Sequence, residues 1–486
     1  MVSQEVWTLE LGFHPQKPIQ LEPVPEYLST DTGLLLFRQL DEQLGLTEAF
    51  AGQVNDLRSN PDHSILEMVR SRVYGIIAGY EDQNDHDALR RDAVFKLLAG
   101  RLPEEDDLAS QPTLSRFENA VKPRDLLNLE AWFVQRFVNS FPETTRKITL
   151  DIDVFDDPTH GQQQMTFFHG FYDQYQYLVR VITCAENDEL AMPVLLYGTA
   201  HAALGADHDL RRVVAALRQR FPDVRIHVRA DSGFAVPRMY EACEELHVDY
   251  TIGIGMNAVL KRRSEALLAE AVAQYEQSHQ PQRLFTQFAY QAESWPQSRQ
   301  VAVKCEAGPN GTNRRAVVSN RPGVTVLPGG VYDEYADRGE SENRNKELKC
   351  EFCIDRLSDQ RYMANCCRVF LHCLAYTLLL AVRHRIASPP EEPPQQDPPC
   401  PHLEPEKVPH QIPAEASTGR TRRGQFNRRR QADPLGEGHA STWRMMLIKV
   451  AARIQVQVRR VRVFLSGSWP FLPYFLQIGE AILSTS

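Results

Sequence analysis

Apolar positions recur along this chain with two different periods. In the first 145 residues the period is helical. Leu34, Phe37, Leu40 and Leu44 fall three or four apart, which gives a helix across residues 33–45 one apolar stripe. Thr30 or Thr32 is placed to cap it. Asp62 or Ser64 opens a second helix from Ile65, and residues 85–98 read as a third, carrying Arg90, Arg91 and Lys96. Gln111-Pro-Thr113-Leu-Ser-Arg116 reads as a helix start whose first turn can aim backbone N–H groups and Arg116 at a phosphate or base edge, in a front that is either a plain helical cap or a binding region. Pro123 starts a last helix through Trp132, Phe133 and Phe137. Residues 1–28 are rich in Pro and read as extended.

From residue 146 the period drops to two. Residues 147–153 alternate as a strand with Asp151 and Asp153 on one face, and the turn-rich 156–161 reads as its stop. Residues 177–184 and 190–197 read as two further strands of a meander. Residues 207–220 are an amphipathic helix with Leu210, Val213, Val214 and Leu217 inward. Residues 224–231 are a strand ending in Asp231, Pro237 opens a helix, and residues 250–255 are a short fifth strand. The order is β-β-β-α-β-α-β. After a helix over 261–276, three strands at 285–290, 299–306 and 314–319 read as a small antiparallel sheet set between Asp231 and Glu342, with a hairpin turn at Gly308-Pro-Asn-Gly311. Residues 359–381 are apolar on most sides and read as a buried helix. Residues 388–413, rich in Pro and Glu, read as a disordered linker. The alternation of Ile454, Val456, Val458 and Val461 and a helix over 473–482 close the chain.

At 486 residues several domains are expected. No stretch approaches 18 uninterrupted apolar residues, and the N-terminus lacks the basic-then-apolar pattern of a signal peptide. Nine cysteines form no disulfide-like framework, so a cytoplasmic protein is expected. Cys350-x-x-Cys353 has metal-like spacing but no second pair, and reads as two ordinary helix residues. The net charge is −9, yet from residue 401 onward 13 Lys and Arg face 6 Asp and Glu, a net of +7 that leaves −16 for the first 400 residues. Any contact with DNA would then be made by local patches rather than by the overall field; the run Arg420–Arg430 is such a patch or a merely solvated tail.

The chemistry concentrates in residues 335–349. The stretch is charged, holds no Pro, and reads as one helix. Tyr335, Arg338, Glu342 and Lys349 lie three, four and seven apart and so share a stripe. Such a stripe suits a surface holding a divalent metal by its carboxylate and phosphates by its cations. Helical spacing alone favours the plainer reading, a solvated face laced with pairs such as Arg338–Glu342. Asp231-Ser-Gly233-Phe likewise reads as a carboxylate freed by a sharp turn at a strand end, or as a helix N-cap before Pro237.

Tyr-x2-Arg-x3-Glu-x6-Lys, complete here at Tyr335, Arg338, Glu342 and Lys349, resembles the signature of bacterial insertion-sequence DDE transposases. Asp231-Ser-Gly-Phe resembles their second-Asp motif, and residues 79–87 and 113–118 resemble stretches in front of their catalytic domain. Members often carry Asp-x-Thr at the first ligand, where this chain has Asp153-Val-Phe155; Asp153 is the preferred first Asp and Asp151 the alternative. The resemblance implies an α/β RNase H-like, retroviral-integrase-like core with a β-rich insertion and an α-helical front. It implies a catalytic, metal-binding triad of Asp153, Asp231 and Glu342 with two Mg²⁺ or Mn²⁺ ions. Tyr335, Arg338, Lys349 and Arg116 would contact DNA. The partners would be double-stranded transposon ends, target DNA and a second copy of the chain in a synaptic homodimer.

The implied layout is a helical, end-binding region over 1–145, core over 146–260, insertion over 261–334 and core helices over 335–387. A Pro- and Arg-rich linker over 388–440 and a basic segment over 441–486 follow. The implied activity is metal-dependent cleavage at insertion-sequence ends and strand transfer. The alternatives are a domesticated, non-catalytic DNA-binding protein and a structure-selective nuclease of the same fold.

Overall fold

The long strand β4 (Lys147–Pro158) is the axis of the molecule in a computed structural model that describes residues 8–14, 16–321, 327–386 and 439–484. The Pro-rich linker and the run Arg420–Arg430 lie outside the described residues. Three short strands, β1 (Leu9–Leu11), β2 (Ile19–Leu21) and β3 (Tyr27–Ser29), precede it, so the Pro-rich front is partly paired. After it come β5 (Phe167–His169), β6 (Gln174–Cys184), β7 (Leu190–Leu196), β8 (Arg225–Ala230), β9 (Asp249–Ile254), β10 (Gln282–Tyr290), β11 (Arg299–Gly308) and β12 (Gly311–Ser319).

These form one mixed sheet in the order β10-β11-β12-β9-β8-β4-β6, with β5 and β7 sharing the far side of β6. Strand β4 pairs parallel with β8 and antiparallel with β6. The acidic run Asp156-Asp157-Pro158 is not a stop: it stays in β4 because it pairs with Leu178, Tyr177 and Gln176 of the long β6. The insertion belongs to the same sheet. Residues Ala316–Ser319 of β12 pair antiparallel with Ile254–Thr251 of β9, which covers what would otherwise be an exposed edge.

The helical front follows its apolar stripes, with departures at the caps. Helix α1 (Leu34–Leu44) has no side-chain cap from Thr30 or Thr32. Instead the chain enters it through Gly33, where a Cβ would meet the Leu447 carbonyl oxygen at 1.9 Å. Helix α2 (Leu46–Ala51) follows, then α3 (Ile65–Ala78), capped by Ser64 accepting from the Glu67 N–H at 3.0 Å. The predicted helix over 85–98 is two, α4 (His86–Leu89) and α5 (Ala93–Ala99), because Asp92 caps the second by accepting from Val94 and Phe95. Helices α6 (Gln111–Ala120) and α7 (Pro123–Asn139) complete the front. Helices α8 (Ala206–Arg220) and α9 (Pro237–Glu245) flank β8 as expected. The expected helix over 261–276 is likewise two, α10 (Ala258–Arg263) and α11 (Glu265–Ser278), with Asn257 capping the first.

The signature stretch is also broken. Helix α12 (Pro328–Ala336) ends before Arg338, α13 (Gly339–Lys346) begins after it, and a π-helical turn follows over Glu347–Glu351. Cys350 lies in that turn and Cys353 just beyond it with φ 54°, so the pair does not share a helix. Helix α14 (Tyr362–Ile386) is long and apolar enough to span a membrane by length and composition, but here it is buried between sheet and front. It packs on α1, α2, α3, α6, α7 and β7. One apolar cluster runs from Leu34 through Phe133 and Phe370 to Ile482, so front, α14 and C-terminal segment share a core. That segment forms α15 (Ala440–Trp443), a π-helical turn over Arg444–Ile448, β13 (Ala452–Gln457), β14 (Arg460–Leu465) and α16 (Leu472–Leu483). Strand β13 pairs with β3, tying the two ends of the described chain together.

Candidate active site

Parallel pairing of β4 with β8 sets Ile152 opposite Ala230, the last residue of β8. The next residue on each strand is an aspartate, so the register puts Asp153 and Asp231 side by side where the parallel pair ends. Asp231 turns the chain into a 3₁₀ turn over Ser232–Phe234, accepting from the Gly233 N–H at 2.8 Å through Oδ1. It caps this turn rather than α9.

Arg338, at the junction of α12 and α13, reaches back to this point. Its Nη1 donates to Asp153 Oδ2 at 2.9 Å and its Nη2 to Glu342 Oε1 at 2.8 Å. One guanidinium thus bridges a buried carboxylate and an exposed one. Burial raises the Asp153 carboxyl to about 6; Arg338 opposes the rise, and the neighbouring Asp231 and Glu342 add to it. The site therefore carries more negative charge than its single bridging arginine balances.

Asp151 is a different kind of residue. Both its oxygens accept from Arg229, at 2.6 and 2.7 Å, and the pair is buried. Such a closed fork ties β4 to β8, and Arg229 also donates to the Glu334 carbonyl on α12. Lys349 lies on Asp156 at 2.7 Å, and Gln174 donates to the same carboxylate at 2.9 Å. Against burial, these two hold Asp156 below its usual value. Tyr335 sits with its ring 5.9 Å from the Arg338 guanidinium. Arg116 stands elsewhere, exposed on α6 with its guanidinium on Thr113. The first N–H of α6 donates to Asp87 at 3.1 Å.

Two residues of this site escape the sequence reading. Asn345 donates to Asp153 Oδ2 at 2.9 Å, while its own Oδ1 is buried without a hydrogen-bond partner. It lies three residues after Glu342, so helical spacing could have found it. Gly253 of β9 is the other: a Cβ there would come within 2.6 Å of the Tyr335 hydroxyl. Nothing local marks it, because the clash is with a residue 82 positions away.

Among the described residues no three His, Cys, Asp or Glu side chains stand poised to hold a metal ion. Arg338 instead bridges Asp153 and Glu342. The donor set still fits a hard divalent cation: three carboxylates, of which Asp153 is raised by burial and then by its two neighbours, and an orphaned amide oxygen beside them.

The model of the family described as "Transposase DDE domain group 1" matches residues 13–393. The chain belongs to that family. It is a DDE transposase, an enzyme of DNA transposition. DDE transposases generally use divalent metal ions, in keeping with the donor set above. No curated protein matches this transposase significantly. Among solved structures it is similar to the piggyBac transposase in a synaptic complex with hairpin DNA, at 10% identity and a TM-score of 0.35, over 76% of this chain and 86% of that one.

Proposed function

We propose that this transposase cuts at the ends of an insertion sequence and joins them to target DNA, using Asp153, Asp231 and Glu342 as its catalytic carboxylates. The observation that carries the reading is the register of β4 and β8, which sets Asp153 beside Asp231 under an arginine shared with Glu342. The order β4-β5-β6-β7-α8-β8-α9-β9, with the three-residue β5 as the one addition, supports an RNase H-like, retroviral-integrase-like core. The three carboxylates would hold two Mg²⁺ or Mn²⁺ ions, with Asn345 Oδ1 beside them. Bound there, such ions supply activation of the attacking water or 3′-hydroxyl and neutralise charge on the leaving oxygen.

The chain's own side chains position the DNA. Arg338 is a planar fork that exchanges its carboxylates for two oxygens of a phosphate, which clears Asp153 and Glu342 in the same movement. Lys349 exchanges Asp156 for a phosphate as a point charge. Tyr335 backs Arg338 and limits where it swings. Arg116 and the helical front take the transposon end, two copies of the chain hold two ends, and the protein acts in the bacterial cytoplasm on nucleoid DNA.

The test is strand transfer. Purified protein with Mg²⁺ or Mn²⁺ should join a labelled duplex bearing the element's terminal repeat into a plasmid, and chelation should stop it. Cleavage without joining would instead make it a nuclease, and binding without either would make it a domesticated binding protein.

A further inference from the structure

The C-terminal hairpin carries a surface that the carboxylate site does not use. Between Glu437 and Glu480 the sequence holds six basic residues and no acidic one, in a chain whose net charge is −9. Two of the six are committed to the fold. Arg444 donates to the Ile76, Ile77 and Glu351 carbonyls, and Lys449 pairs with Asp31 at 2.8 Å. The other four, Arg453, Arg459, Arg460 and Arg462, are exposed on β13, β14 and the turn between them.

Register decides which way they face. Arg453 pairs with Phe464, Gln455 with Arg462, and Gln457 with Arg460, so these six share one face of the hairpin. The opposite face, with Ile454, Val461, Val463 and Leu465, packs on the shared core. On the outer face Arg453 and Arg462 both stack on the Phe464 ring, at 4.7 and 4.8 Å. Stacking fixes a guanidinium plane while its N–H edges remain available to acceptors. Arg460 donates to Gln457 at 3.1 Å, and Glu26 lies 3.7 Å from Arg453. Arg460 and Arg462 are two residues apart on one strand, a spacing of roughly 6.7 Å. Val458, fully exposed at the tip, leaves the hairpin projecting.

An outward β-ribbon of alternating Arg and Gln has the chemistry that duplex DNA selects. Arginines take phosphates and guanine edges, and Gln amides take adenine edges. A two-stranded ribbon also fits the width of the major groove, about 12 Å. We propose that the outer face of β13–β14 is a second DNA-binding surface of the transposase, seated on duplex DNA through Arg453, Arg460 and Arg462, with Gln455 and Gln457 toward the bases. This rests on the reading that the protein binds DNA, and it places a contact on elements outside the carboxylate cluster.

The test uses the full chain with Arg453→Gln, Arg460→Gln and Arg462→Gln together, which keeps side-chain length and polarity on an exposed face. Binding to a fluorescent random-sequence duplex is followed by anisotropy across a salt series, beside a thermal melt. The triple variant should melt like wild type and bind at least roughly tenfold more weakly. Its salt slope should be shallower by about 2.7, or 0.9 for each phosphate that an arginine no longer neutralises. The matching triple Lys variant should keep the wild-type slope. A Gln triple with wild-type affinity and slope would overturn the proposal, as would a Lys triple whose slope falls to that of the Gln triple. Wild-type protein that fails to bind the duplex would overturn the functional reading itself, and this surface with it.

Discussion

Two of the molecule's clusters of arginine and carboxylate are built on opposite terms. At the seam between the front and α14, Glu118 accepts from Arg72 at 3.0 Å through one oxygen and from Arg368 at 2.5 Å through the other. It is wholly buried, and although burial pushes its carboxyl up, the two arginines hold it below the usual range. At the end of β4 the ratio is reversed. One arginine serves Asp153 and Glu342, Asp231 stands close by, and Asp153 is raised to about 6. The first cluster sets its buried anion between two buried cations, with Asp359 a further 3.6 Å from Arg368. The second has one cation among three anions and opens to solvent at Glu342. A closed pair serves the fold; a charge deficit facing solvent is what a cation or a phosphate-bearing substrate can complete.

The sharpest way to separate the two is to remove a carboxylate from each. Glu342→Gln should leave the melting temperature nearly unchanged and cut strand transfer at least roughly ten-thousandfold, about 5.5 kcal/mol at the transition state. Glu118→Ala should do the reverse in kind. It strands two buried guanidinium groups and should cost about 3–5 kcal/mol of unfolding free energy, read from a urea titration. If Glu118→Ala unfolds no more easily than Glu342→Gln, the contrast between a structural and a functional cluster fails.

Arg338→Ala refines the comparison from the cation side. It should slow joining of a pre-cleaved end at least roughly tenfold, about 1.4 kcal/mol, and Arg338→Lys should rescue poorly because it lacks the planar fork. Wild-type rates in both would reduce Arg338 to a surface ion pair.

The smallest effect concerns Asp157, fully buried in β4 with no ion pair on its carboxylate among the described residues, where the Leu357 backbone N–H and Lys349 only partly oppose its burial. Burial, with Asp355 nearby, raises its carboxyl well above the usual value. A raised carboxyl means that the folded state keeps its proton while the unfolded chain releases it. Asp157 therefore costs nothing in ionisation below about pH 4 and increasingly destabilises as pH rises from there toward its folded value. Asp157→Asn should gain roughly 1 kcal/mol at neutral pH, and the gain should disappear in acid. Melting curves across pH check this, and a gain that grows toward acid would contradict it.

Much of the fold was legible because local rules and tertiary contacts agree. Ser64 caps α3, the stripe Leu34, Phe37 and Leu40 is buried, and the strand before Asp231 ends at Ala230. The misses come where long-range pairing overrides local propensity. Asp156 and Asp157 read as a turn but are held in a strand by β6. The insertion reads as a small antiparallel sheet, and β12 meets β9 along an edge that periodicity does not reveal. The signature stretch reads as one helix, yet it bends around Arg338, which is what lets one guanidinium reach both Asp153 and Glu342. The choice between Asp151 and Asp153 was open in the sequence because both share a face; Arg229, which engages Asp151, becomes its partner only through the β4–β8 register.

The central claim is that Asp153, Asp231 and Glu342 act as one unit. The most direct measurement is the rate of joining a pre-cleaved transposon end by Asp153→Ala, by Asp231→Ala and by the double variant, all in the same divalent-metal buffer. Residues that act together lose nearly everything at the first removal, so each single variant should be about as slow as the double. Losses that simply multiply in the double variant, or an Asp153→Ala protein that joins ends at the wild-type rate, would contradict the account.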